Sequence, residues 1–156
     1  KNANVTELES AFHKILERQR EKLVATLKKW QKIEDASVKS TSEIIGKTKN
    51  PVVKQVMEII KQDSAMHKKV QQLLIDSFEK EAIQLQPEEL SEVWGMIENH
   101  IELEKETVRL AEESRKNSNN FVVRYLLGYL MTDEQKHNDV LAQLEDVKRG
   151  MYPYAG

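Results

Sequence analysis

Apolar residues recur at intervals of three and four along most of the chain, the spacing that places them on one face of an α-helix. The first such stripe contains Leu8, Phe12, Ile15, Leu23, Leu27, Trp30, Ile33 and Val38. Thr6 and Glu9 have the spacing of a capping box, so we expect a helix to begin there. No Gly or Pro interrupts the stripe before Gly46. The pattern therefore predicts either one long first helix or two helices separated by a break that the sequence does not mark.

Three further stripes predict three further helices. They contain, in chain order, Val53, Val56, Ile60, His67, Val70 and Leu74; then Leu90, Val93, Ile97, Ile101, Glu104, Val108 and Ala111; then Val123, Leu127, Leu130, Glu134, His137, Leu141 and Leu144. Asn50-Pro51 and Pro87 fit helix starts, because Asn caps a helix and Pro suits its first position. Ser118-Asn119-Asn120 predicts the turn before the last helix. Gly150 is expected to end that helix and to be followed by an irregular tail.

The composition agrees with long amphipathic helices. Of 156 residues, 39% are hydrophobic and 32% are charged, and only 5 Gly and 3 Pro are present. A sheet would need more turn residues, and a chain of this length suits one domain. Four helices with short connections pack as antiparallel neighbours. We therefore expect an all-α fold, an antiparallel up-down-up-down four-helix bundle that forms a single domain over residues 1–156.

Several kinds of function are disfavoured by what the chain contains. There is no cysteine, which excludes disulfides, thiolate zinc sites, iron–sulfur clusters and cysteine nucleophiles. The net charge is −2 with no basic stripe, so no nucleic-acid partner is expected. No apolar run approaches the roughly 18 residues of a membrane span, and the first four residues resemble no signal peptide. We expect no membrane contact and a cytoplasmic location.

The second half of the chain repeats the first at an offset of 70 residues. Residues 50–74 align without a gap on residues 120–144, with seven identical pairs: Asn50/Asn120, Val52/Val122, Val53/Val123, Asp63/Asp133, His67/His137, Val70/Val140 and Leu74/Leu144. Amphipathic helices resemble one another by chance, but Asp and His do not serve a generic core. We expect two related helical hairpins, over about residues 17–80 and 87–150. Residues 1–16 either extend the first helix or form a separate cap.

Each repeat places an acid and a histidine within its apolar stripes. Glu34 and Glu104 lie in the first stripe of their repeats, and His67 and His137 lie in the second. Glu134 forms a Glu-x-x-His pair with His137, and side chains three apart share one helical face.

The turns, near residues 49 and 119, set the predicted level of these groups. Equal counting on both sides of each turn places Glu34 level with Ser64 and Glu104 level with Glu134, and each His one turn deeper. A buried carboxylate needs a partner, and imidazole with carboxylate oxygen suits iron, manganese or zinc. We predict a metal site of Glu34, His67, Glu104, Glu134 and His137. The alternatives are a hydrogen-bonded core network and, for the two stripe acids, an exposed edge.

With these residues the chain resembles the rubrerythrin-type branch of the ferritin-like superfamily. Bundles of that kind hold two metal ions with one Glu from each of two helices and a Glu-x-x-His from each of the other two. The resemblance covers about 130 residues and rests on Glu104 with Glu134-Gln135-Lys136-His137 and on Glu34 with His67. It implies a di-iron carboxylate centre that acts on peroxide or dioxygen, with the five residues of the predicted site as ligands.

The first repeat departs from this pattern. Ser64 occupies the position where the pattern has Glu, so only five of six ligands are present. Asp63 and Ser64 are weaker candidate ligands, and the site could be mononuclear, asymmetric or empty. His100, one turn before Glu104, is either a further ligand or an edge residue. The cysteine-containing electron-transfer module of rubrerythrins is absent.

Three functions remain open from the sequence. The first is a metal-dependent oxidoreductase that uses a small-molecule oxidant. The second is metal binding or storage without turnover, and the third is a helical scaffold whose site has decayed. For any of them we expect a homo-oligomer, such as a dimer in which residues 1–16 supply the interface between the two chains.

Overall fold

A computed structural model describes residues 2–151, with side chains from Asn4 onward. In this part of the chain all regular structure is helical and no strand occurs: the helices are α1 (Asn2–Lys47), α2 (Pro51–Glu79), α3 (Pro87–Lys116) and α4 (Phe121–Met151). The predicted all-α class with four helices is therefore confirmed. Within the same residues, no helix has the length and the apolar run that crossing a bilayer requires.

Helices α2, α3 and α4 start where the sequence predicted. The Asn50 side chain accepts the backbone N–H groups of Val52 at 2.9 Å and Val53 at 3.2 Å. The Asn120 side chain accepts the N–H of Val123 at 3.1 Å in the equivalent way. Before α3, the Glu89 carboxylate accepts the backbone N–H of Gln86 at 2.9 Å. These bonds satisfy backbone donors that have no partner inside a helix, which fixes where each helix begins.

Two helix ends differ from the prediction. Helix α1 is continuous and begins at Asn2, so the capping box predicted at Thr6 and Glu9 was wrong and residues 2–5 extend the first helix. A Thr and a Glu three apart are also an ordinary pair inside a helix. Helix α4 includes Gly150 and ends at Met151, because one Gly in a last turn costs only about 1 kcal/mol relative to Ala. The rest of the predicted irregular tail, residues 152–156, lies outside the described residues.

Helices α1 and α2 form hairpin 1, an antiparallel pair. Residues pair in opposite order along the two helices: Asp35 binds Lys68 at 2.6 Å, and Lys28 binds Glu79, further along α2, at 2.6 Å. The apolar seam between them is short. It consists of Val24, Leu27 and Ile75, with Phe78 packed against them.

Helices α3 and α4 form hairpin 2 in the same way. Thr107 contacts Glu134 near the turn, and the Lys148 ammonium lies 4.2 Å from the Trp94 ring centroid towards the open end. Leu90, Trp94 and Ala111 are the buried apolar residues of α3.

Much of each predicted stripe stays exposed. Trp30 and Ile33, both in the first apolar stripe, are 50% and 60% exposed. In hairpin 2, Leu103 is 64% exposed. Two paired helices can bury only the seam where they touch, so apolar residues on the flanks of a wide stripe remain accessible. Each hairpin therefore presents unburied apolar surface of its own.

Removal of the Asn50 cap tests this account of the helix starts. Asn50→Ala should lower the free energy of unfolding by about 1 kcal/mol, because two backbone N–H groups lose their acceptor. Asn99→Ala, at an exposed position inside α3, is the control and should not lower it, since Ala is the better helix former. Urea unfolding measures both, and equal stability of Asn50→Ala and the unsubstituted chain would contradict the assignment.

Candidate metal centre

Three metal-ligating side chains converge in hairpin 2. Ligand atoms of Glu104, Glu134 and His137 all lie within 4.8 Å of one another. His137 Nδ1 is 3.4 Å from Glu104 Oε2 and 3.6 Å from Glu134 Oε2. The three atoms therefore surround a space the size of one ion, at the seam between α3 and α4.

The helices themselves position these groups. Glu134 and His137 are three apart on α4 and so project from one face, while Glu104 reaches them from α3. Exposure increases across the cluster: the side chain of Glu104 is 12% exposed, that of Glu134 is 25% and that of His137 is 43%. The most buried carboxylate thus lies at the floor of the cluster, and the imidazole lies at its solvent side.

Two neighbours hold the acids in place. His100 Nε2 lies 2.9 Å from Glu104 Oε1, within hydrogen-bond distance. The Thr107 hydroxyl lies 2.9 Å from Glu134 Oε2 and 2.7 Å from the backbone carbonyl oxygen of Glu104, and it has one hydrogen to donate to either. Such contacts orient a ligand without binding the ion and strengthen the site.

The negative charge of Glu104 is only partly balanced by its neighbours. A hydrogen bond from the Glu134 carboxyl group lowers the pKa of Glu104; burial opposes this effect, and His137 and His100 reinforce it. Two carboxyl groups this close share a proton or a cation. When both are ionised, Glu104 Oε2 is a buried acceptor without a hydrogen-bond donor in the described part of the chain. A bound cation would satisfy that oxygen.

Asp133 lies at the edge of this cluster rather than in it. Its carboxylate is 3.5 Å from His137 Nε2 and 2.9 Å from the Lys136 ammonium. An acid on the far nitrogen of an imidazole favours metal binding by the near nitrogen, because it fixes the tautomer. Asp133 is therefore a positioning residue for His137.

Hairpin 1 contains the same framework with different chemistry. The Glu34 side chain is 9% exposed, and its Oε1 lies 3.3 Å from His67 Nδ1, the counterpart of the contact between Glu104 and His137. The Ser64 hydroxyl donates to the Ser37 hydroxyl at 2.8 Å. Ser37 and Ser64 are the repeat equivalents of Thr107 and Glu134, so a bond between two hydroxyls replaces the bond between a hydroxyl and an acid.

An amide takes the remaining position beside Glu34. Gln71 donates from Nε2 to Glu34 Oε1 at 3.4 Å, and its own Oε1 is buried with no hydrogen-bond donor among the described residues. Hairpin 1 therefore offers one carboxylate and one imidazole, without the second acid of hairpin 2. Asp63, a weaker candidate ligand, lies at an exposed position.

The predicted levels were wrong by one turn. Glu34 lies opposite His67 rather than opposite Ser64, and Glu104 lies opposite His137 as well as near Glu134. The reason is the position of the hairpin turns. The Glu34–His67 and Glu104–His137 pairs centre between residues 50 and 51 and between 120 and 121, after the capping Asn, and not on residues 49 and 119. Each acid consequently meets its His directly.

Three residues of these clusters were not predicted as participants or were given little weight. Gln71 and Thr107 are not strong metal ligands. Each lies one helical turn from a predicted ligand, and this spacing could have identified them as neighbours of the site. His100 was taken for an edge residue or an extra ligand, and it contacts Glu104 directly.

Comparison of the chain with protein-family models, with curated proteins and with solved structures finds no match. The function proposed below therefore rests on the chemistry of the two clusters.

The lowered pKa of Glu104 makes stability depend on pH. In metal-free protein the free energy of unfolding should fall as the pH drops through that pKa, because the unfolded chain takes up the proton at a higher pH than the folded one. Glu104→Gln should flatten this part of the profile, and Glu102→Gln, an exposed acid on the same helix, should not. Urea unfolding at a series of pH values measures the slopes, and parallel profiles for Glu104→Gln and the unsubstituted protein would refute the assignment.

Proposed function

We propose that this protein binds a divalent transition-metal ion through Glu104, Glu134 and His137. The observation that carries the proposal is the convergence of three ligand atoms, from Glu104, Glu134 and His137, within 4.8 Å of one another. The Glu104 oxygen among them is buried and forms no hydrogen bond within the described part of the chain. Two carboxylates and one neutral imidazole suit iron, manganese or zinc. Iron is the metal that the resemblance to rubrerythrins favours.

The fold that goes with this function is the ferritin-like four-helix bundle. Its support is the apolar surface that each hairpin leaves exposed, together with the repeated Glu–His contact in both hairpins. In such a bundle Glu34 and His67 supply ligands for a second ion. That ion is held more weakly, because Ser64 provides no carboxylate.

A bound iron pair would supply redox chemistry towards peroxide or dioxygen, the activity that the resemblance implies. The part that the chain's own residues play is limited and specific. Glu104 and Glu134 bind the cation and balance its charge, and His137 binds it from the solvent side. Thr107 and His100 hold the acids in orientation.

One observation favours a second candidate, a scaffold without metal. In hairpin 1, hydrogen bonds between Ser64 and Ser37 and between Gln71 and Glu34 surround the contact of Glu34 with His67. If hairpin 2 were satisfied in the same manner by a proton shared between its acids, the protein would fold without a cation and serve protein–protein contact. Metal content separates the two candidates.

Metal analysis tests the proposal. Anaerobic loading with Fe(II), or loading with Mn(II) or Zn(II), should leave about one tightly bound ion per chain, because Glu104, Glu134 and His137 form one such cluster. His137→Ala should lower the affinity by more than about tenfold, the scale seen when metal sites lose supporting groups. Glu102→Gln should not change it.

Elemental analysis and calorimetric titration give these values. Fewer than about half an ion per chain after loading, with a folded protein, would favour the scaffold. Peroxide consumption by iron-loaded protein, absent in His137→Ala, would support the oxidoreductase, whereas binding without turnover would support a storage role.

Ser64 provides a gain-of-function test. Ser64→Glu should convert the weak site of hairpin 1 into a second tight site, because it places an acid beside Glu34 and His67 as Glu134 lies beside Glu104 and His137. Ala65→Glu adds the same charge one residue away at an exposed position and should add no ion. An unchanged ion count in folded Ser64→Glu would contradict the equivalence of the two hairpins.

A further inference from the structure

The first part of α1 runs beyond its partner helix. The Arg20 guanidinium lies 5.6 Å from the ring centroid of Phe78, and Lys28 binds Glu79, the last residue of α2. Residues 4–20, here called the arm, therefore precede the level at which α2 ends. At 1.5 Å per residue the arm is about 25 Å long. Its residues up to 16 have no counterpart in the second repeat.

The arm carries an apolar stripe with the spacing of a helix-pairing seam. Val5, Leu8, Phe12 and Ile15 follow one another at intervals of three, four and three residues. Their exposed fractions are 56%, 70%, 63% and 52%. This alternation keeps the four side chains on one face, where they can pack against another helix. A stripe this exposed needs a partner to remove it from water.

The charges of the arm change sign along its length. The half before Ser10 carries the acids Glu7 and Glu9, and the half after it carries Lys14, Arg18 and Arg20. The one acid of the second half, Glu17, lies 3.4 Å from His13 of the same helix. A second arm that runs antiparallel, with Val5 opposite Ile15 and Leu8 opposite Phe12, brings Glu7 of each copy near Lys14 of the other. A parallel arm would instead place Glu7 beside Glu7 and Lys14 beside Lys14.

We infer that the arm binds the arm of a second copy of this chain, antiparallel, to form a homodimer. The contact is self-complementary, so a two-fold axis at the middle of the apolar stripe, level with Ser10, closes it and leaves no open end. Opposite charges at both ends favour this orientation and disfavour like-charged partners. The dimer does not depend on the metal centre, because none of its residues belongs to that cluster.

Sedimentation of the full chain tests the dimer. The unsubstituted protein should have the mass of two chains at micromolar concentration, and Phe12→Glu should have the mass of one, because it places a charge in the seam. Ser10→Glu adds the same charge on the opposite face of the arm and should remain dimeric. Circular dichroism should show equal helix content in all three, and the metal content of Phe12→Glu should match that of the unsubstituted chain.

Orientation has its own test, since the chain contains no cysteine. In an antiparallel dimer the two copies of residue 5 lie at opposite ends of the contact, too far apart for a disulfide. Oxidised Val5→Cys should therefore stay free of a disulfide-linked dimer, and dissociation should increase at high salt. A single-chain mass for the unsubstituted protein, dissociation of Ser10→Glu, or complete cross-linking of Val5→Cys would overturn the proposal.

Discussion

A carboxylate held at a helix seam is the constraint on which the candidate function depends. Glu104 is nearly buried between α3 and α4, faces a second acid and an imidazole, and has one oxygen without a donor in the described part of the chain. Removing an ionised group from water is costly unless a partner compensates it. His137 compensates part of this charge, and either a proton or a cation compensates the rest. The geometry suits the cation because three ligand atoms already converge there.

The comparison between hairpins shows how this constraint was met twice in different ways. In both, an acid on the first helix contacts a His on the second, at 3.3 Å and 3.4 Å. Beside this pair, hairpin 2 keeps a second acid, whereas hairpin 1 has hydroxyls and the amide of Gln71. These neutral side chains leave less negative charge around Glu34 than Glu134 places around Glu104, and this lowers the affinity expected for a second ion.

The starts of α2, α3 and α4 could be predicted from the sequence because individual residues determine them. Asn50, Pro87 and Asn120 each satisfy or remove a backbone donor, and local groups decide where those helices begin. The start of α1 was missed, since a Thr with a Glu three residues later also occurs inside helices. The exposure of Trp30 and Ile33 could not be read from periodicity, because a stripe shows which face is apolar and not how much of it one neighbour covers.

The site was predicted as a set of residues more successfully than as a geometry. Glu104, Glu134 and His137 stood out because acids and imidazoles within an apolar stripe require an explanation, and because the repeat aligned two of them with Glu34 and His67. The level of these groups was misplaced by one turn, since it depends on where each hairpin turn centres. Gln71 was missed because an amide is not a typical metal ligand.

Anomalous diffraction from crystals of protein loaded with Mn(II) or Zn(II) tests the central claim most directly. An ion coordinated by Glu104, Glu134 and His137, with ligand distances of about 2.0–2.2 Å, is the expected result. A loaded crystal in which those three side chains contact only one another, and the ion lies elsewhere or is missing, would contradict it.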